Sequence, residues 1–218
     1  MMNLADSMEI DPEQSRTRIL EVAERYFRRI GYHKTSVADI ASELGMSRAN
    51  VYRFFPSRTA INSSVCGLIV KEVAEVAHAI ARMDAPAGKR LVELLYTLHR
   101  HSMRRLVEER PIHELLAAAM NERWTIIDAH NEQILAILRA LIREGLQAGE
   151  LKVEDAEEAA QGAITAFLPF FHPVLVEQRV QEGEDTAVAV RAQIRFIMRA
   201  LGNFQSCAVE TRGRSSIS

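Results

Sequence analysis

Residues 36–55 read Ser-Val-Ala-Asp-Ile-Ala-Ser-Glu-Leu-Gly-Met-Ser-Arg-Ala-Asn-Val-Tyr-Arg-Phe-Phe, and this stretch decides the fold. Val37, Ile40, Ala41 and Leu44 fall at i, i+3, i+4 and i+7, the spacing that lays one apolar stripe along a short helix. Ser36 and Asp39 start that helix in the manner of a capping box: the hydroxyl takes an orphan backbone N–H, and the carboxylate sits at the positive helix end. Gly45 is free to take the left-handed conformation that ends a helix abruptly, and Ser47 supplies the next N-cap two residues later. The pattern predicts two short helices meeting at a steep angle, a helix-turn-helix.

On the second helix Val51 and Phe55 are four apart and face inward, so Arg48, Asn50 and Arg53 lie on other faces, toward solvent or a partner; this is the expected recognition helix. Pro56 stops it, since proline disfavours a helical conformation at the preceding residue, and Ser57 is placed to cap a long helix that follows. Short capped helix pairs also occur in helical proteins that never touch nucleic acid, so local charge weighs in the reading. From Ser15 to Arg58 nine Lys or Arg stand against four acids, a local charge of +5 inside a chain of net charge −2. The first fourteen residues carry −4, and averaging hides a basic N-terminal face of the kind that phosphate neutralisation and counterion release require.

The stretch from about Arg16 to Ile69 resembles the DNA-binding domain of the TetR (tetracycline-repressor-like) family of bacterial regulators. The likeness is carried by the helix Ile19-Leu20-Glu21-Val22-Ala23-Glu24-Arg25-Tyr26-Phe27, the link Gly31-Tyr32-His33-Lys34-Thr35-Ser36-Val37, then Ile40-Ala41, Gly45-Met46-Ser47 and Val51-Tyr52-Arg53-Phe54-Phe55-Pro56-Ser57-Arg58. The resemblance implies that Arg48, Ala49, Asn50 and Arg53 approach base edges, while Thr35, Ser36, Ser47, Tyr52 and Arg58 hold phosphates. Chemistry agrees with the division: Arg bonds guanine and Asn bonds adenine in bidentate fashion, whereas hydroxyls and a flanking cation fix register without reading sequence. Two positions depart from the family pattern. Phe54 stands where His or Tyr is common and reads as a packing residue, and Arg58 stands where Lys is usual, changing a point charge into a fork.

Length and composition bound the rest. The chain has 218 residues, 48% of them hydrophobic and 6% aromatic, with only ten Gly and six Pro. That suits an all-α protein with a small N-terminal helix-turn-helix domain and a larger C-terminal helical domain, about nine helices in total. The expected divisions are a flexible arm over 1–14, the DNA-binding domain over 15–58, a ligand-binding and dimerisation domain over 59–205, and a disordered tail over 206–218. Cys66 and Cys207 cannot build a disulfide framework, so the cytoplasm is the expected compartment. Cys66 reads as a small buried hydrophobe more readily than as a redox sensor. The most apolar stretch, Ala159 to Val176, is interrupted by Gln161, Thr165, His172, Pro169 and Pro173, which argues against a membrane span.

Past Pro56 the periodicity stays helical. A helix from about Arg58 to Met83 precedes the Pro86/Gly88 break; others follow through Leu91 to Leu106, Ile112 to Ala119 and Trp124 to Ile142. The last two run from about Glu154 to Gln178 and Asp185 to Gly202. The helix over 58–83 is the expected lever, as the element touching both domains. Ala159, Ala163 and Ala166 on the penultimate helix, with Val190, Ile194, Ile197, Met198 and Leu201 on the last, form two stripes that suit either a four-helix homodimer interface or the monomer's own core. The resemblance favours the interface. Pro169 and Pro173 bend or interrupt a helix and gather Phe167, Phe170 and Phe171 with His172 there, an expected pocket wall. His99, His113, Asn121, Trp124 and Asp128 are candidates for its polar groups.

No metal-ligand spacing is present, since His99 and His101 are two apart on a helix and face different ways. No cofactor is implied, and no phosphate loop, Gly-x-Ser-x-Gly elbow or activated Cys suggests an enzyme. The expectation is a DNA-binding transcriptional repressor that holds a double-stranded, inverted-repeat operator as a homodimer and is released by an unidentified small-molecule effector, with a ligand-responsive activator of the same fold as the alternative; no membrane is among its partners. An adaptor using the helix pair only for protein contacts would leave the basic face without purpose.

Overall fold

The computed structural model describes residues 11–202, which fold into ten α-helices with no strand among the described residues. In order they are α1 (Pro12–Ile30), α2 (Val37–Glu43), α3 (Arg48–Phe54), α4 (Arg58–Ala81), α5 (Ala87–Glu108), α6 (Arg110–Asn121), α7 (Thr125–Gln147), α8 (Ala156–Phe167), α9 (Pro173–Gln181) and α10 (Thr186–Ala200), with a 3-10 turn, Leu168–Phe170, between α8 and α9. The tail expected over 206–218 and most of the arm over 1–14 lie outside the described residues. Residues 12–14 belong to α1, because Asp11 accepts the Glu13 N–H as N-cap and Pro12 at the first helical position needs no N–H partner.

The local signals act as their chemistry requires. The Ser36 hydroxyl accepts the Asp39 N–H at 3.2 Å and the Asp39 carboxylate accepts the Ser36 N–H at 2.8 Å, closing the capping box. Gly45 takes φ +66°, a left-handed conformation open to glycine, and Ser47 caps α3 through the Asn50 N–H. Ser57 caps α4 by accepting from Ala60.

The single helix expected over 154–178 is divided instead. Pro169 and Pro173 withhold two N–H groups, and the chain turns through the 3-10 segment, with α8 and its 3-10 end lying 46° from α9. Two buried side chains three apart on α5 take up carbonyls at the break: the His99 Nδ1 donates to Phe170 O at 2.9 Å and the Ser102 hydroxyl to Phe171 O at 2.9 Å. No single helix among the described residues is long and apolar enough to cross a membrane, and the apolar faces of α8 and α9 are buried through Ala160, Ala163, Phe167 and Val176.

Two apolar clusters hold the molecule. One joins the C-terminal half of α4 to α5, α7, α8 and α10. The other contains the core of α1–α3 with the first half of α4, and also Ile112, Leu115, Leu116 and Ala119 of α6 and Ile127 of α7. The expectation that α4 alone joins the two domains is therefore too narrow, because α6 packs directly against α1. Ionic contacts follow the same route. Arg28 of α1 pairs with Glu109, between α5 and α6, at 2.7 Å, with Glu24 at 2.8 Å and with Glu72 of α4 at 3.8 Å.

Loss of the Ser36 cap tests how much α2 depends on it. Ser36→Ala is expected to cost about 1 kcal/mol, a fall of about 2–4 °C in Tm for a chain of this size, read by thermal unfolding; an unchanged Tm would show the capping box to be dispensable.

Candidate nucleic-acid interface and sensory pocket

Val51 of α3 and Phe55, the residue that caps its C-terminal end, are fully buried and fix the orientation of the helix. Arg48, Ala49, Tyr52 and Arg53 are exposed, and as the pairs 48/52 and 49/53 are four apart they form one continuous outward face. Asn50 is half-buried beside it. Neither Arg48 nor Arg53 is held by a hydrogen bond or ion pair among the described residues, so both guanidiniums are available. Phe54 is half-buried against the core, the packing role expected for it.

The phosphate-contact set needs correction. Thr35 is only 2% exposed and its hydroxyl donates to Gly31 O, so it ties the α1–α2 link together and faces no ligand. The Ser36 hydroxyl is used twice in the capping box, accepting from the Asp39 N–H and donating to its carboxylate at 2.7 Å. These bonds hold the Asp39 carboxyl below the usual carboxylate range. Arg58 turns its Nη2 back onto the carbonyls of Tyr32 and His33 at 2.5 and 2.8 Å, where Arg's fork serves to hold the link to α4. Ser47 and Tyr52 remain exposed, as does Lys34 of the link before α2. Arg16 is spent within the unit. Its Nη1 donates to Phe54 O at 2.5 Å and its guanidinium lies 4.6 Å from the Phe55 ring, so α1 clamps the end of the recognition helix.

In the larger domain two adjoining cavities share Leu98, His130, Asn131 and Phe171. The inner one, about 50 Å3, is lined by His101, Ser102 and Arg105 of α5, His113 of α6, and His130 and Asn131 of α7, among apolar neighbours. The outer one, about 360 Å3, opens past Phe171 among Ile134, Leu135, Ile164 and Leu168, with Asp128 and Glu132 on its wall. Of the residues expected to form a pocket, His113, Asp128 and Phe171 line these cavities. Phe167 and Phe170 are core residues, stacked with ring centroids 5.4 Å apart. His99 is consumed by its bond to Phe170 O, and Asn121 is exposed at the end of α6. Trp124 packs against the N-terminal cluster with its indole N–H donated to Glu122, and His172, N-cap of α9, lines neither cavity.

The groups missed are His101, Ser102, Arg105, His130 and Asn131. Arg105 carried a readable signal: it lies seven residues from Leu98 and three from Ser102, on the apolar face of α5, where a charge has no ordinary place.

Burial pushes the imidazoles of His99, His101, His130 and His172 below their ordinary range; for His101 the neighbouring arginines add to it, and His130, under burial and the charge of Arg105, falls to about 4. Burial raises the Cys66 thiol to about 12, in keeping with a packing role for that residue.

The stripe expected to meet a partner also needs correction. Val190, Ile194, Ile197, Met198 and Leu201 are buried in the protomer's own core, as is Ala163, because α10 lays its apolar face onto α5 and α8. Ala159 and Ala166 are half-buried and border an open groove between α8 and α10 with Gly162, Ala200 and Phe196, the last 64% exposed.

This arrangement, a basic helix-turn-helix joined to a larger helical domain with an internal cavity, defines a DNA-binding regulator. Family models agree at both ends of the chain: residues 19–64 match the bacterial regulatory proteins of the tetR family, and residues 87–206 match a tetracyclin repressor-like C-terminal domain. The chain belongs to the TetR family of transcriptional regulators.

It is 27% identical over 161 residues to the HTH-type transcriptional regulator TtgR of Pseudomonas putida, covering 69% of this chain and 75% of that protein. Over 160 residues it is 26% identical to the probable regulator ArpR of the same organism, covering 68% and 76%. Among solved structures, a TetR/AcrR-family regulator from Thermobifida fusca superposes with a TM-score of 0.62 at 26% identity, over 84% of this chain and 96% of that one. A regulator from Saccharomonospora viridis in complex with choline shares the fold at TM-score 0.62 and 24% identity, covering 86% and 96%.

The imidazoles give the pocket a pH signature. Above about pH 6.5 His130 is neutral folded or unfolded, and no penalty arises. As pH falls from there toward 4 the unfolded chain takes a proton that the folded one refuses, so stability is lost across that window and the loss levels off below it. His130→Gln should show a smaller fall in Tm between pH 7 and 4.5 than the parent protein, and equal falls would refute the assignment.

Proposed function

We propose that this protein is a homodimeric repressor, working in the cytoplasm, that binds an inverted-repeat operator through α3 and is released from it by a small molecule held in the larger domain. The observation that carries the reading is the direct seat of α6 on α1. Ile112, Leu115, Leu116 and Ala119 share a core with the helix-turn-helix, while His113 and Leu116 of the same helix line the inner cavity. A ligand that shifts α6 shifts the reading head with it, and the Arg28–Glu109 pair moves in the same direction. By linkage, operator DNA weakens ligand binding by the factor by which ligand weakens DNA binding. The complex of a related fold with choline supports a small molecule as the signal.

Within this reading Arg48, Ala49, Asn50 and Arg53 meet base edges, Ser47, Tyr52 and Lys34 meet phosphates, and Thr35, Ser36 and Arg58 shape the surface that does so. Residues 15–58 are the reading unit and the rest of the chain the sensing and pairing unit. The second copy docks on the α8–α10 groove: Gly162, Ala159 and Ala166 let a helix approach closely, and Phe196 is the aromatic anchor a partner would cover. Two-fold pairing places two copies of α3 in successive major grooves.

DNA fragments selected from the source genome by the purified protein provide the operator. Arg48→Ala should then lose about 10- to 100-fold in affinity for that site, the value of one bidentate base contact, and change little on random DNA. Equal losses on both would reject base reading by Arg48. Phe196→Glu should leave the Tm of the protomer fold intact and shift sedimentation from dimer to monomer; an unaltered dimer would place the interface elsewhere.

A further inference from the structure

Arg105 sits 6% exposed at the inner cavity. Among the described residues its guanidinium makes one hydrogen bond, from Nη2 to Ile69 O at 3.0 Å, and its Nε is buried with no partner at all. The nearest carboxylates do not neutralise it by contact: Glu109 is engaged by Arg28 at 2.7 Å and by Arg104 at 3.3 Å, and Glu72 by Arg28. His101 and His130, which line the same cavity, each carry a buried Nδ1 without a partner. His113 is held by Glu177, itself paired with Arg110. A buried cation with unspent donors, beside the His101 and His130 imidazoles that burial holds below their ordinary range, is costly unless something supplies an acceptor and a negative charge.

We propose that the effector is an organic monocarboxylate whose head group is bound by Arg105 in the inner cavity and whose apolar body passes Phe171 into the outer cavity. The proposal rests on the reading of the larger domain as the sensor and names the chemistry it senses. A planar carboxylate matches the guanidinium edge with two parallel hydrogen bonds. A phosphate dianion brings a second charge for which the cavity holds no second cation, and a quaternary ammonium is repelled by the first. The inner cavity, about 50 Å3, has room for a head group and little else, while the outer one is walled by Ile134, Leu135, Ile164, Leu168 and Phe171. Asp128 and Glu132 on the outer wall disfavour a second carboxylate at the far end of the ligand.

Calorimetric titration of the full-length protein without DNA tests this with two matched pairs, sodium octanoate against 1-octanol and sodium benzoate against benzyl alcohol. At least one acid should bind, and at least about tenfold more tightly than its own alcohol, as expected for a charge-assisted contact. Arg105→Met should remove the preference, and Arg105→Lys, which keeps the charge but not the fork, should retain part of it. Removing a buried unpaired charge is tolerated by folded proteins, and the acid–alcohol comparison on the parent protein decides the matter even for a variant that fails to fold.

No binding of either acid, equal binding of acid and alcohol, or full acid binding by a folded Arg105→Met overturns the proposal. Acid binding that leaves the operator complex intact supports the carboxylate site and counts instead against ligand-controlled repression.

Discussion

Pro169 and Pro173 deny backbone N–H groups to what would otherwise be one helix across residues 156–181, and the shape of the larger domain follows from how that loss is absorbed. The carbonyls at the break need donors inside a dry interior. His99 and Ser102 supply them from α5, so α5 is pinned to the break at two points three residues apart. Pinning this face of α5 sets His101 and Arg105 toward α4, α6 and α7 and leaves the cavities between them. Arg179 closes the far side, its guanidinium 4.3 Å from the centroid of Phe170. One interruption thus creates both the cavities and the anchoring that keeps them from collapsing.

The N-terminal unit is organised by a different economy, in which nearly every arginine that does not face outward holds helices in place. Arg16 clamps α3, Arg25 and Tyr26 hold α2 through Glu43 at 2.7 and 3.2 Å, Arg28 reaches the α5–α6 junction, and Arg58 fixes the α1–α2 link. Positive charge counted along the sequence is therefore larger than the charge offered to DNA. Among the described residues Arg48, Arg53 and Lys34 are free where α3 and the link before α2 present them, and Arg18 is free on α1.

The helix-turn-helix was legible because each of its signals is local: Ser36 with Asp39, Gly45, Ser47, Val51 with Phe55, and Pro56 each act over a span of four residues or fewer. The interruption of the α8–α9 segment was foreshadowed by its two prolines. What failed was assignment between equivalent apolar stripes. Val190, Ile194 and Ile197 have the same periodicity whether they face their own core or a partner, and only the packing of α10 on α5 and α8 separates the cases. Polar candidates failed for a related reason. Thr35, Ser36, Arg58 and His99 have the chemistry to bind something outside the chain, but backbone groups distant in sequence or next in line claim them first, and no local pattern announces which donor will be spent internally. Arg105 shows the converse, a residue whose charge contradicts its place on an apolar face and could have been singled out for that alone.

The core shared between α1–α4 and α6 has an architectural consequence. Severing the chain after Arg58 would strip Phe27, Val51 and Phe55 of Ile61, Val65, Ile69, Ile112 and Leu115, their companions in one continuous cluster. The reading head is a unit of function without being a unit of folding. A chimaera that grafts these forty-odd residues onto another helical domain must therefore bring a matching α4 and α6 surface with it.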